Sequence, residues 1–507
     1  MYLTQTLHRA VQQDRRWPLT IFADRVRSAG ECADRVGRLA AGLRALGVGR
    51  GDRVALLGAN SDRFHESLLG VPWADAVVVP INHRWSPAEI GFAIGDCGAN
   101  VLIVDEDLLP VVSSLEHPEP STVVVMADGN VPAGTVSYER LIGDNPPMED
   151  SCRGGEDLFG VFYTGGTTGR PKGVMLTHTN VIATAFGTLA TGRFLTPGGR
   201  LLHAAPMSHL ADLGAWIAGL LTGGTHVIVP GFTPEGVLTA IEHRQVTDVL
   251  LVPTMIQMLV EFPGAARFDV SSLAHLLYGG SPMPEALLER ARKMFPRAGF
   301  VQGYGMTELS GVTSLLLPDD HDRPELVRSA GRAAPHAQVR IVGPDGREAP
   351  RGTAGEIAVR GDHAMAGYWQ RPGETAAALR DGWLHTGDAG YLDDRGYLFV
   401  VDRIKDVIIS GGENVYSVEV ENALTLHPAV AACAVIGLPD ERWGERVHAV
   451  VVRAGGADVT GEELREFCGQ RLAGYKIPRS VEFVASMPTV GAGKVNKRQL
   501  RAERGAR

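Results

Sequence analysis

The chain has 507 residues, which at about 150 residues per domain predicts roughly three compact units and a large core. Lys+Arg number 49 against 58 Asp+Glu, a formal charge of −9. That balance argues against a nucleic-acid coat or a polybasic membrane anchor. Hydrophobic residues make up 44% and charged residues 21%, as in an ordinary globular protein. The 62 glycines exceed an average usage of about 7% and predict many tight turns and close backbone approaches. Five scattered cysteines without a CxxC pair point away from zinc and thioredoxin-like chemistry and toward a reducing, cytoplasmic compartment. No signal-like N-terminus and no run of about 18 apolar residues is present.

In chain order, residues 33–47 carry apolar side chains at helical spacing and stop at Gly47, a C-cap signal. GDRVALLG, WADAVVVPIN and ANVLIVDE then read as buried strands. After residue 157, LFGVFY predicts a strand, followed by a Gly-rich loop and a helix, and HVIVPGF, VTDVLLVP and HLLYGG predict further strands. Strand–helix alternation predicts mainly parallel sheets covered on both faces. Residues 335–402 change to short strands with turns such as Asp345-Gly346, a smaller β-rich unit. The last hundred or so residues suit one small domain. They hold a helix after Ser417, a strand at 431–437 and a Thr460/Glu463 capping box. The expected architecture is α/β: a core of two doubly wound subdomains plus the β-rich unit over 1–402, then a small α+β domain over 403–507.

The sharpest chemistry lies in Tyr163-Thr-Gly-Gly-Thr-Thr-Gly-Arg-Pro-Lys-Gly173. Gly165, Gly166 and Gly169 let the backbone bend and approach a ligand; Thr164, Thr167 and Thr168 add hydroxyls and Lys172 adds charge. That set suits a polyphosphate. It is not a Walker A loop, because Lys172 is followed by Gly. A flexible surface loop is the bland alternative. No GxSxG elbow, HExxH pair or Rossmann fingerprint occurs.

At this segment the sequence resembles the acyl-adenylate-forming superfamily of acyl-CoA synthetases, luciferases and peptide-synthetase adenylation domains. Further motifs follow in the family's order: Gln302-Gly303-Tyr304-Gly305-Met-Thr307-Glu308, Thr386-Gly-Asp388, Asp402-Arg403-Ile-Lys405-Asp406, Ser410-Gly411-Gly412-Glu-Asn414 and Gly493-Lys494. The resemblance implies an adenine- and magnesium-contacting segment at 302–308, ribose binding at Asp388, a hinge at Lys405 and a catalytic Lys494. Many relatives carry Asp at the hinge position, and Lys also occurs. The residue types make chemical sense unaided. Tyr304 offers a face to a purine and Glu308 a hard oxygen for Mg²⁺. Thr307 and Arg403 reach phosphate or ribose, and Asp388 suits paired ribose hydroxyls. The alternatives are a turn residue at Asp388, a solvated carboxylate at Glu308 and a solvated basic tail around Lys494.

The resemblance also places His209, a catalytic candidate, at the acyl pocket, with Asp212 and Trp216 following it. Tyr278, Gly279 and Gly305 join that pocket, while Gly280 and Ser281 lie toward the adenine. Ser410, Gly411, Gly412, Trp443 and Lys476 fall on the CoA side. The implied function is ATP-dependent activation of a fatty or aromatic acid as acyl-AMP, with transfer to CoA by rotation of a small domain that the resemblance implies to be mobile. Carrier-protein thiol or amine acceptors, another activated oxyanion, and a non-catalytic nucleotide-binding module remain the alternatives. Expected partners are the acid, ATP with Mg²⁺, and CoA, with no nucleic acid and no membrane span; a homodimer is left open.

Overall fold

The computed structural model describes residues 1–115, 120–164, 171–410, 413–440, 442–490 and 494–505, with the backbone alone at Lys405, Asn414, Val490 and Lys494. Among the described residues, eight strands form a first sheet. Its parallel centre comprises Val77–Ile81, Arg53–Leu57, Val101–Asp105 and Thr122–Met126. At one side Leu158–Thr164 joins in parallel and Lys172–Thr177 turns back antiparallel beside it, pairing Thr164 with Lys172. A second sheet has nine strands. Its parallel run includes Gly299–Tyr304, His275–Gly279, Asp248–Leu251, Arg200–His203 and Thr225–Ile228, extended by Pro18–Phe22 from the start of the chain.

Helices Ala29–Ala45, Asp62–Trp73, His178–Leu189 and Leu210–Thr222 feed one core shared with both sheets, where Leu39, Phe64, Val181 and Trp216 meet Leu56 and Leu201. Burying each large apolar side chain is worth about 1.5–3 kcal/mol. A smaller antiparallel sheet of Gln338–Val342, Gly355–Arg360, Trp383–Leu392, Leu379–Arg380 and Leu398–Arg403 follows. Beyond it, Val430–Asp440, Gly444–Arg453, Ile408–Ser410, Glu413–Val415 and Ser480–Phe483 build a separate sheet over its own core, which includes Val420, Val435 and Leu464. The expected α/β class holds, with antiparallel strands at the sheet edges.

One local expectation fails. The glycine-rich segment does not lead into a helix: it joins Leu158–Thr164 to the strand Lys172–Thr177, and the helix starts only at His178. The Thr177/Asn180 capping box fixes the helix start at His178, and Lys172–Thr177 before it pairs antiparallel with Leu158–Thr164. The phosphate-loop candidate therefore spans a hairpin, and no helix dipole directly follows it. Among the described residues no helix is long and apolar enough to cross a membrane.

Candidate active site

Two polar clusters form where the strand Gly299–Tyr304 ends. In the first, the Tyr304 hydroxyl donates to Asp388 Oδ2 at 2.7 Å, and Arg403 Nε lies 2.6 Å from Asp388 Oδ1. Backbone pairing dictates the Arg403 contact, because Asp388 and Arg403 sit opposite each other on the antiparallel strands Trp383–Leu392 and Leu398–Arg403. The Thr386 hydroxyl bonds Ile357 O at 2.8 Å and receives Asp388 N at 3.0 Å, while Gly387 takes the left-handed φ of +70° that this bend requires. Burial and the adjoining carboxylate hold the Tyr304 hydroxyl well above the usual phenol range.

In the second cluster, Glu308 lies in the short turn Thr307–Leu309, 8% exposed, and accepts the Tyr368 hydroxyl at 2.9 Å. The Lys172 ammonium stands 5.2 Å from the centre of the Tyr368 ring and pairs with Glu374. Burial and Glu308 push the Tyr368 hydroxyl up. The segment 363–374 straps these groups together. Its Met365 N bonds Glu308 O at 2.9 Å, Gly367–Tyr368 pairs with Met175 and Val174, and Trp369 N bonds Gly173 O at 2.7 Å. Tyr368 and Glu374 were not among the sequence candidates. An aromatic pair followed by a proline-led helix start, Tyr368-Trp-Gln-Arg-Pro372, was the available signal.

Glycines permit close strand approach here. A Cβ on Gly279 would sit 2.3 Å from Gly303 O, and one on Gly305 the same distance from Gly311 O. Gly280 takes φ +78° at the strand end beside Ser281. Gln302 pairs with Tyr278 across the sheet. Tyr278 itself is 2% exposed, its hydroxyl 2.9 Å from His321 Nε2, so its ring packs in the core. His209 precedes the helix Leu210–Thr222, with Nε2 3.4 Å from Asn82 Nδ2. Asn60 holds the approach to it, donating to Ala205 O and accepting Met207 N, both at 2.8 Å.

Asp212 and Trp216 require a correction. Asp212 is 1% exposed and Trp216 fully buried. The Asp212 carboxylate meets His203 Nδ1 at 2.7 Å, His203 Nε2 meets His226 Nδ1 at 2.9 Å, and the Trp216 indole donates to His65 Nδ1 at 2.9 Å. Asp212 Oδ2 is taken up by its buried partner His203, the paired-carboxylate alternative to a pocket role. Lys476 is likewise engaged, with both Glu419 carboxylate oxygens 2.7 Å away. Arg479 lies 4.4 Å from the Trp443 ring centre, and Ser410 is buried opposite Gly444. Gly165, Gly166, Thr167, Thr168, Gly169, Gly411, Gly412 and the Lys405 and Lys494 side chains lie outside the described residues. Thr164 ends its strand and Lys494 opens the strand Lys494–Val495.

The model of the AMP-binding enzyme family matches residues 7–369, and that of the AMP-binding enzyme C-terminal domain matches 419–494. The chain belongs to the AMP-binding enzyme family. It is 46% identical to a feruloyl-CoA synthase of Amycolatopsis sp over 93% of this chain and 92% of that protein. It is 39% identical to the long-chain-fatty-acid–CoA ligase FadD13 of Mycobacterium tuberculosis over 94% and 91%. The solved amide bond synthetase McbA from Marinactinospora thermotolerans superposes with a TM-score of 0.89 at 33% identity, covering 99% of this chain and 100% of that one. The protein is an AMP-forming enzyme of the acid–CoA ligase family, which uses ATP.

Proposed function

We propose that this enzyme activates a fatty or aromatic carboxylic acid as its acyl-adenylate and passes the acyl group to CoA. The observation that supports this most is the convergence of Tyr304, Asp388 and Arg403 beside Glu308, Tyr368 and Lys172: a ribose-type acceptor next to a phosphate-type cation and a hard carboxylate. Similarity to CoA ligases for aromatic and fatty acids supports the acid class and the acceptor.

A carboxylate is a poor electrophile with a poor leaving group. Its oxygen attacks the α-phosphorus of ATP, pyrophosphate leaves, and the resulting acyl-AMP is open to attack by a thiolate, which expels AMP. Two anions meet in the first step, so positive charge must be in place beforehand. Lys172 supplies it toward the phosphates and Lys494 toward the reacting carboxylate. Asp388 takes the ribose hydroxyls, sharing its charge with Arg403. Glu308 is the residue that would hold Mg²⁺, which when bound neutralises phosphate charge. Its buried, hydroxyl-supported carboxylate fits, because a Mg²⁺ shared with a triphosphate needs only one or two protein carboxylates.

In this reading residues 1–402 form the adenylating core and 403–507 a mobile domain that swings about Lys405, withdrawing Lys494 and bringing the 410–414 segment to the adenylate. His209 lines the acyl pocket together with Gly279 and Gly305. The test is a panel of fatty and aromatic acids with ATP, Mg²⁺ and CoA, scored by AMP release and thioester mass. Absence of ATP–pyrophosphate exchange with every acid overturns the reading. The similarity to an amide bond synthetase favours an amine as the second acceptor, and amide formation without thioester formation would select it.

A further inference from the structure

Lys172 has an ion-pair partner of its own within the chain. Its ammonium pairs with the Glu374 carboxylate, which is 38% exposed on the first turn of the helix Pro372–Ala378. Glu374 is oriented in turn by Arg371, whose Nη1 lies 3.3 Å from Glu374 Oε1. Arg371 faces Asp96 at 3.8 Å, and Asp96 accepts the Tyr163 hydroxyl at 2.6 Å from the strand leading into the hairpin. The Tyr368 ring lies beside Lys172 and its hydroxyl bonds Glu308. Lys172 and Arg371 together hold Glu374 below the usual carboxylate range.

We infer that Glu374 is a positioning residue: it serves as a resident counter-ion that docks Lys172 until a triphosphate takes the ammonium over. The inference rests on the nucleotide reading proposed above. The physical argument is competition. An ammonium has three donors but one charge, and a carboxylate at its side opposes every anion that approaches it. The pair is partly solvated and held by a single flexible lysine, so it is weak enough for phosphate oxygens to displace. Tyr368 keeps the lysine near Glu308 while the exchange occurs, so the cation cannot drift away from the phosphate end of the site. Glu374 therefore weakens nucleotide binding while preventing an uncompensated lysine from capturing other anions.

The test uses the full chain and needs no identified acid. Binding of ATP, and separately of inorganic pyrophosphate, is measured by calorimetry for wild type, Glu374→Gln, Lys172→Met and the double variant, with thermal melting to confirm folding. Glu374→Gln is expected to bind both anions about 3- to 5-fold more tightly, the scale of a part-exposed ion pair. The gain must vanish in the Lys172→Met background. Rescue of wild-type affinity by Glu374→Asp supports the counter-ion role. Unchanged or weaker binding by Glu374→Gln, or an equal gain with and without Lys172, overturns the inference. If wild type binds no ATP at all, the nucleotide reading itself fails, a result distinct from ATP binding that ignores Glu374.

Discussion

Two regions of this protein are dense in titratable side chains, and they do opposite things with them. Around Tyr304, Asp388, Glu308, Lys172 and Glu374, each charge has a partner that retains some solvent exposure: Arg403 is 42% and Glu374 38% exposed. Around Asp212, His203, His226, His65 and Trp216, every group is within 1% of complete burial. Partners that reach solvent can be exchanged for a ligand's atoms, whereas sealed partners hold two layers of the core together. Density of charge does not by itself mark a site; the ability to re-pair does.

The contrast is sharpest at its extremes. Lys494→Ala should slow adenylate formation about 10²- to 10³-fold, the scale of losing one preorganised charge partner, with no change in melting temperature. ATP–pyrophosphate exchange measures it, and unaltered exchange would remove Lys494 from the chemistry. Asp212→Ala should do the reverse. It strips a buried partner from His203 and should cost about 2–4 kcal/mol of stability in urea unfolding, without moving the affinity for ATP. A loss of ATP affinity at unchanged stability would return Asp212 to the site.

Acid should find the sealed region next. Burial pushes His65 down to about 3 from an ordinary 6.5, and holds His226 well below that ordinary value too. These rings stay neutral in the fold, so their contribution is fully present above pH 6.5 and is lost as pH falls from there toward 3. Each should impose about 1.4 kcal/mol per pH unit over that window. The urea midpoint measured from pH 7 to pH 5 should drop accordingly, and His65→Asn should flatten the slope. Smallest is Tyr304→Phe, which removes one hydroxyl from Asp388 and should raise KM for ATP several-fold, in line with about 0.5–1.5 kcal/mol for one hydrogen bond.

Much of this was legible from residue order. The strands around Arg53–Leu57, Val77–Ile81 and Val101–Asp105 are continuous apolar runs, so their burial on both faces followed from composition. The Thr460/Glu463 cap was likewise local chemistry. Asp388 and Arg403 were both legible as candidates, but their pairing depends on the register between two strands that no motif records. Glu374 and Tyr368 escaped notice because their placement comes from the strap that lays 363–374 against Glu308 and against Gly173, the latter a contact made across nearly two hundred residues. The partner of Asp212 was hidden for the converse reason: His203 lies one strand back, inside the core, where no motif marks it.

A side-chain hydrogen bond crosses the proposed boundary at Lys405. Ser417 N, at the start of the helix Ser417–Thr425, donates to Asp402 Oδ2 at 2.5 Å. The acceptor belongs to the strand before Lys405 and the donor to the element after it, so the swing proposed above would leave that helix end uncapped until water or another acceptor arrives. A bond to a charged acceptor is worth about 1.5–3 kcal/mol, so in the proposed rotation it would weight the bonded orientation on the order of 10- to 100-fold. The turnover clock of this enzyme would then be set in part by how often a single peptide N–H lets go.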